Sequence, residues 1–460
     1  MKAQGKLALR RRTLSWILRF AGVLLILLIA LLPSAAAAPV FSFTPPDSIT
    51  VTMYRLVYPG GGNTNIACQL NPPDENWGCT WFDRFHYPSD QVRPYPYATN
   101  PIAIPIETDY LLDVVPQELP PYYHPTAVQA QAIAARTYAY WHINQGSTIN
   151  NSISYQAFIP YKFESLPPAT FPDNPSDPCA SSNLNTDQRI VCGAVAPRYY
   201  ISYGTYPNDD LPAFTEFTGD VYDHTISHPQ QGTLYPYLLG VDNPISTACD
   251  ANNYGHYRGM SQEGASRWAR GNQCSYATQG DMPWNVRWER AEQILVHYYT
   301  GVHIRDATGT RLTPEYRWNP LNIDWGTPDN RPPIMYYGGS YPVTVQVQNT
   351  SIYDWPIDGQ SWALFYHWAK AGFGEMASGN RAWTTGDMPK GDPPYTFSLT
   401  INDIPNWGPG AYTLKFDMLL FTYGGTYWFS TTYGWPTYDV GICVDGPCKV
   451  YIPLVLKNYP

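Results

Sequence analysis

Glu118-Leu-Pro-Pro-Tyr-Tyr-His-Pro-Thr-Ala-Val-Gln-Ala-Gln-Ala-Ile-Ala-Ala-Arg-Thr-Tyr138 places one carboxylate just ahead of an Ala-rich run that carries an arginine 18 positions later. The run predicts a helix from Pro125 to about Gln145. Proline suits the first helical turn, where its missing N–H costs nothing. Ala and Gln are good helix formers, and Gly146 is a natural stop. Val128, Ala132, Ala135 and Ala139 recur on one face, where small side chains let a neighbour pack closely. Glu118 itself is expected in a proline-stiffened loop between the apolar Leu111-Leu-Asp-Val-Val115 and Leu119-Pro-Pro.

Working outward, Ile49 to Val57 alternates as a strand does. Shorter helices are expected over Met260 to Arg270 and Trp288 to Tyr299, the second with an apolar stripe of Ala291, Ile294, Leu295 and Tyr298. Residues 147 to 250 are Pro- and Tyr-rich, with strands expected over Val195 to Tyr206 and Leu211 to Phe217. Five prolines between 307 and 335 read as a linker. Beyond it, Tyr341–Gln348, Trp362–Trp368, Tyr395–Ile401, Ala411–Met418 and Tyr427–Ser430 are short strands set apart by glycine turns, the pattern of an antiparallel sandwich. The predicted class is α+β, mixed and β-rich. The expected organisation is a signal peptide (1–38), a β-rich extension (39–100), a main domain (101–306), the linker (307–335), a sandwich (336–448) and a tail (449–460).

Six basic residues precede the apolar run Phe20 to Leu32, and Ala36-Ala37-Ala38 offers a cleavage site, so export through a signal peptide is expected. The run is short for a span, which needs about 20 residues, and no later segment is a candidate. The expectation is a secreted or envelope-associated protein with no membrane span after cleavage. The leader holds six basic residues and no acidic one, so its loss takes the net charge from -9 to -15. Nucleic acid is then a poor partner, because phosphate binding needs clustered Lys and Arg. Eight cysteines fall into close pairs: Cys68 with Cys79, Cys179 with Cys192, Cys249 with Cys274, and Cys443 with Cys448. Four short-loop disulfides are the default outside the cytosol.

A second segment, Tyr254-Gly-His-Tyr-Arg-Gly-Met-Ser-Gln-Glu-Gly-Ala265, has the glycine-punctuated look of a site loop. Together with Val115-Pro-Gln-Glu-Leu-Pro120, the Ala-Gln-Ala-Ile-Ala-Ala-Arg-Thr-Tyr run and the close at Ile294 to Ile304, it resembles the SpoIID/LytB family of stage II sporulation proteins and amidase enhancers. The likeness spans about residues 101 to 305. The C-terminal half is more loosely similar to immunoglobulin-like accessory modules of secreted bacterial proteins.

The resemblance implies action on peptidoglycan glycan strands. One role is a lytic transglycosylase with Glu118 as general acid and base. The other is a non-catalytic helper of a cell-wall amidase, or a wall-binding protein. In the enzyme reading, Glu118 and Arg136 are the catalytic pair, with Arg136 orienting the glutamate or holding a sugar substituent; its plainer role is a structural ion pair. His256, Ser261, Gln262 and Tyr138 are the expected substrate-binding residues, with helix capping as the plainer role of Ser261. Glu263 departs from the family form and is given no catalytic part. A single carboxyl suffices for such chemistry if burial raises its pKa, because the sugar's own 6-hydroxyl replaces water. No metal is expected. His224 and His228 near Asp220 and Asp223 leave zinc as the alternative, since some members are similar in binding it, but no ligand set maps onto this sequence.

Overall fold

A computed structural model describes residues 43–58, 60–69, 74–79, 93, 99–204, 209–357 and 361–448. The expected signal peptide and tail lie outside them. β1 (Ser48–Thr52) is the middle strand of a small sheet. β2 (Tyr54–Val57) and β3 (Gly62–Ala67) form a hairpin beside it, so the strand read from Ile49 to Val57 is interrupted at Met53. β4 (Ile102–Pro105) runs antiparallel to β1, pairing Ile104 with Ile49. The chain then makes one π-helical turn, Ile106–Tyr110, and enters α1, Leu111–Glu118.

Glu118 is therefore the last residue of a helix and not part of a loop. The proline-rich flank misleads the reading. Pro116 inside α1 lacks the N–H that would reach back one turn, and the helix ends two residues later with Leu119 N–H donating to Val115 O at 2.9 Å.

α2 (Pro125–Asn144) follows, capped by His124, whose Nδ1 accepts from Thr126 N. The sequence predicts one buried face, yet the helix is covered nearly all round, including Gln131, Arg136 and Thr137 at 0 % exposure. Its alanines permit this, since α1, α3 (Thr186–Val195), α4 (Gln262–Arg270) and α5 (Ala291–Tyr298) all pack against it. β5 (Ile149–Asn150) returns to β1 in parallel. α3 occupies a stretch whose end reads as strand in the sequence. β6 (Tyr200–Ser202) pairs with β9 (His303–Arg305), and β7 (Phe217–Thr218) pairs in parallel with β8 (Met260–Ser261).

The expected linker contains β10 (Trp318–Asp324), which pairs with β11 (Tyr341–Asn349); β14 (Tyr395–Ile401) completes that antiparallel sheet. Pro320 is tolerated because the register shifts at Pro320/Asn322, where no ladder donor is needed. The second sheet joins β12 (Ser361–Lys370), β13 (Gly374–Trp383), β15 (Gly410–Thr422), β16 (Gly425–Trp428) and β17 (Tyr438–Val444), all antiparallel. Val343, Val345, Val347, Phe397, Leu399 and Ile401 are buried at alternate positions. The molecule is thus mixed α+β and β-rich, with an antiparallel two-sheet C-terminal part.

The two parts are bonded through β10. Trp288 and Trp284 donate their indole N–H groups to the carbonyls of Pro320 and Leu321 at 3.1 and 3.0 Å. His297 of α5 meets Gln348 of the adjoining β11 at 2.7 Å, while Trp435 of the C-terminal part itself donates to the Trp318 carbonyl of β10. Trp288 also stacks on Trp268 of α4, with ring centres 4.0 Å apart.

The four disulfides follow the pairing expected from proximity in the sequence. Cys68 is bonded to Cys79 after the β2–β3 hairpin, and Cys179 is bonded to Cys192 of α3. Cys249 is bonded to Cys274 beyond the end of α4, and Cys443 of β17 is bonded to Cys448. Each closes a short loop, and no free cysteine is found among the described residues.

Candidate functional site

The loop after β5 fixes α1 before it serves the carboxylate. Asp113 of α1 accepts from Tyr161 N and Phe163 N, and Arg93 bridges it to Glu164 with contacts of 2.7 Å to each acid. Tyr110 donates to Gln156, which in turn donates to the Ala135 carbonyl of α2. Between these anchors, Ala157 N–H donates to Glu118 Oε1 at 2.6 Å. The opposite oxygen, Oε2, accepts from Gln262 Nε2 at 3.2 Å, so residues 144 apart meet at one carboxyl group.

The backbone around Gln262 is shaped to reach that point. Gly259 has φ +66°, and an added Cβ would fall 1.9 Å from the Glu216 carbonyl oxygen. Gly264 is tightly enclosed as well, since a Cβ there would lie 2.4 Å from the Tyr298 hydroxyl oxygen and 2.8 Å from the Asn243 side-chain nitrogen. Ser261 is the N-cap of α4, accepting from Gly264 N at 3.0 Å, and is fully buried. The capping role is the one its contacts describe.

Glu118 keeps part of its surface open to solvent, while the surroundings of the carboxyl itself are dense. Burial pushes its pKa up to about 7, against the lowering pull of the Ala157 and Gln262 donors. Its position at the carbonyl end of α1 acts in the same direction as burial, since that end repels negative charge. No guanidinium or ammonium among the described residues pairs with it. The group can therefore hold or release a proton near neutrality.

Arg136 stands elsewhere. It is 0 % exposed, and its guanidinium grips both oxygens of Glu107 at 2.8 and 2.7 Å and the carbonyls of Tyr199 and Val195. Tyr140 adds a third bond to Glu107. Arg136 thus ties α2 to the turn ahead of α1, and no contact joins it to Glu118. Its contacts describe an ion pair with Glu107, and any part it plays at Glu118 is indirect, since a cation placed on that carboxyl would hold its proton off.

The other expected residues separate by position. Gln262 is at the carboxylate and also approaches Gln131 Oε1 at 3.4 Å. Tyr138 is 7 % exposed, and its phenol is held well above the usual range by burial, with Glu216 and Glu118 both contributing. His256 is exposed, its Nδ1 accepting from Arg258 N at 3.2 Å, and no contact brings it to Glu118. Asp220 is spent on Arg267, His224 on Asp223 at 2.6 Å, and His228 lies 4.0 Å from Glu216, which Arg258 grips with two bonds. Cys68, Asp74 and Cys79 are the one close ligand group among the described residues, and their sulfurs form a disulfide.

Sequence reading missed Glu107, Gln131, Glu216 and the Ala157 N–H. Only Gln131 carried a signal, lying in the Ala-Gln-Ala run beside which Gln262 lands.

Residues 100–183 match the family model SpoIID, described as Stage II sporulation protein, in line with the resemblance drawn from the motifs. The match relates the chain to sporulation and cell-wall proteins; it includes Glu118 and Arg136 and stops short of Gln262. No curated protein matches. Among solved structures, the CARDB domain of the PF1109 protein from Pyrococcus furiosus, in complex with di-metal ions, aligns at 13% identity over 29% of this chain and 94% of that one, with a TM-score of 0.17. So low a score carries nothing on fold or function.

Proposed function

We propose that this protein is an exported lytic transglycosylase acting on the glycan strands of peptidoglycan. The observation that carries the reading is the meeting of Glu118 with Gln262, two motifs that no local spacing would unite. A carboxyl with neutral donors only, and a pKa of about 7, is the reagent this chemistry requires.

Glu118 begins protonated and gives its proton to the glycosidic oxygen as the bond from C1 to that oxygen breaks. The 6-hydroxyl of the same sugar attacks C1, and its proton passes to the Glu118 carboxylate. Water is not consumed, and one product carries a 1,6-anhydro end. Gln262 and the Ala157 N–H hold the carboxylate during the interval in which it is charged. Arg136 is a positioning residue, acting through Glu107 on the seat of α1. The leader at residues 1–38 is the proposed export signal, in keeping with four disulfides, and the C-terminal sheets are proposed as an immunoglobulin-like module of a secreted enzyme.

The test is to incubate the full chain with peptide-free glycan strands and look for anhydro-ended products by mass spectrometry. Product from the parent and none from a folded Glu118→Gln variant supports the enzyme. Product persisting in that variant removes the mechanism. Strands bound but left intact by the parent would mark a wall-binding protein instead.

A further inference from the structure

The two segments that meet at Glu118 and Gln262 meet a second time, farther along each. Tyr123, five residues past Glu118, points its hydroxyl at Oε1 of Glu263, the neighbour of Gln262, at 3.5 Å. Tyr122 lies against Tyr123 with ring centres 4.7 Å apart and planes inclined by 28°, and Tyr276 meets both rings edge-on at 5.4 and 5.5 Å. Tyr122 is nevertheless 61 % exposed, so with one face on Tyr123 its other face is left to solvent.

The cluster is held in place from beneath. Ser275, next to Tyr276, donates its N–H to Gln279 and its hydroxyl to Glu263 Oε2, and its carbonyl accepts from Ser266. The disulfide between Cys249 and Cys274 closes the same loop. Arg267 and Ser275 both engage Glu263 Oε2, at 3.2 and 2.8 Å, whereas among the described residues Oε1 has only the long Tyr123 contact. An open aromatic face beside a carboxylate oxygen with acceptor capacity is what a pyranose needs. Its axial C–H face covers the ring, and an equatorial hydroxyl donates to the acid.

We propose that Tyr122, Tyr123, Tyr276 and Glu263 form a sugar-binding subsite that seats one pyranose of a glycan strand immediately beside the Glu118 site. The substrate class rests on the transglycosylase reading; the binding claim is tested apart from turnover.

The experiment uses the full chain carrying Glu118→Gln and measures the Kd for peptide-free strands of alternating N-acetylglucosamine and N-acetylmuramic acid by isothermal titration calorimetry. In that background Tyr122→Ala is expected to weaken binding about tenfold, and Glu263→Gln about threefold. Tyr122→Phe should bind as the parent does, and so should Tyr423→Ala, which removes a fully exposed ring from the C-terminal part. Tyr122→Ala binding within twofold of its background, or no strand binding by the background, overturns the subsite. Binding lost in Tyr122→Ala while the wild-type chain makes no anhydro product leaves the subsite standing and sinks the enzyme. Product formed while Tyr122→Ala binds normally does the reverse.

Discussion

Glu118 and Asp417 are both carboxyl groups raised by burial, and they sit in the two different parts of the molecule. Asp417 lies mid-strand in β15, 0 % exposed, accepting from Ser430 Oγ at 2.5 Å and from Met418 N at 2.8 Å, and burial pushes its pKa up to about 6. Glu118 is likewise held by neutral donors, and its pKa is about 7. An elevated pKa therefore does not mark a site. What separates them is approach. Asp417 is sealed within a sheet, whereas Glu118 closes a short helix beside a partly open surface and takes its second donor from a distant segment.

The largest effect expected from that contrast is on turnover. Glu118→Gln should lower the rate of anhydro-product formation by about 10²–10⁴, the range for a positioned acid, while Asp417→Asn leaves it unchanged. Equal losses in both variants, measured at matched folded fractions by circular dichroism, would erase the distinction. Next comes pH. The acid must be protonated to act, so kcat/KM should fall about tenfold for each pH unit above roughly 7; a profile flat to pH 9 would show that another group gives the proton. Smaller is the effect of Gln262→Leu. Removing a donor to the charged form raises the Glu118 pKa, and the alkaline limb should move up by about half to one unit; a downward move would reverse the role assigned to Gln262.

The smallest effect belongs to Asp417 itself. Its folded pKa is raised, so the folded state binds more protons than the unfolded one, and stability should decline as pH rises from about 4 to about 6. Asp417→Asn should flatten that segment of the Tm-against-pH curve by a few degrees. An unaltered slope would mean that the group titrates normally.

Much of this arrangement is legible in the sequence, and the failures share a cause. α2 is legible because Pro125, the alanines and Gly146 all act locally, and so are the β11, β12, β14 and β15 strands with their turn glycines. The disulfides are legible for the same reason: Cys192 lies 13 positions from Cys179 and Cys448 only 5 from Cys443, so each partner is the nearest available. α1 escapes notice since a proline two residues from its end and a π turn before its start both hide the period. α3 has a readable start in Asn185 and Gln188, a reciprocal capping box, that the Tyr-rich strand character downstream obscures. β10 is hidden by Pro320, which only its bulge makes tolerable. Within the site, Glu118 and Gln262 came from family likeness and not from spacing. Arg136 stands out by the same likeness, but the Glu107 that it grips lies 29 residues upstream, where sequence offers no sign of a partner.

The indoles of Trp284 and Trp288 have a practical consequence. They spend their polar hydrogens on a strand that belongs to the neighbouring sheet, and Trp435 reaches the same strand from the far side. Cutting the gene at residue 310 would expose both indoles to water and strip Pro320 and Leu321 of their donors on the discarded piece. A shortened version of this protein would need those indole positions redesigned, because the half without Glu118 supplies their acceptors.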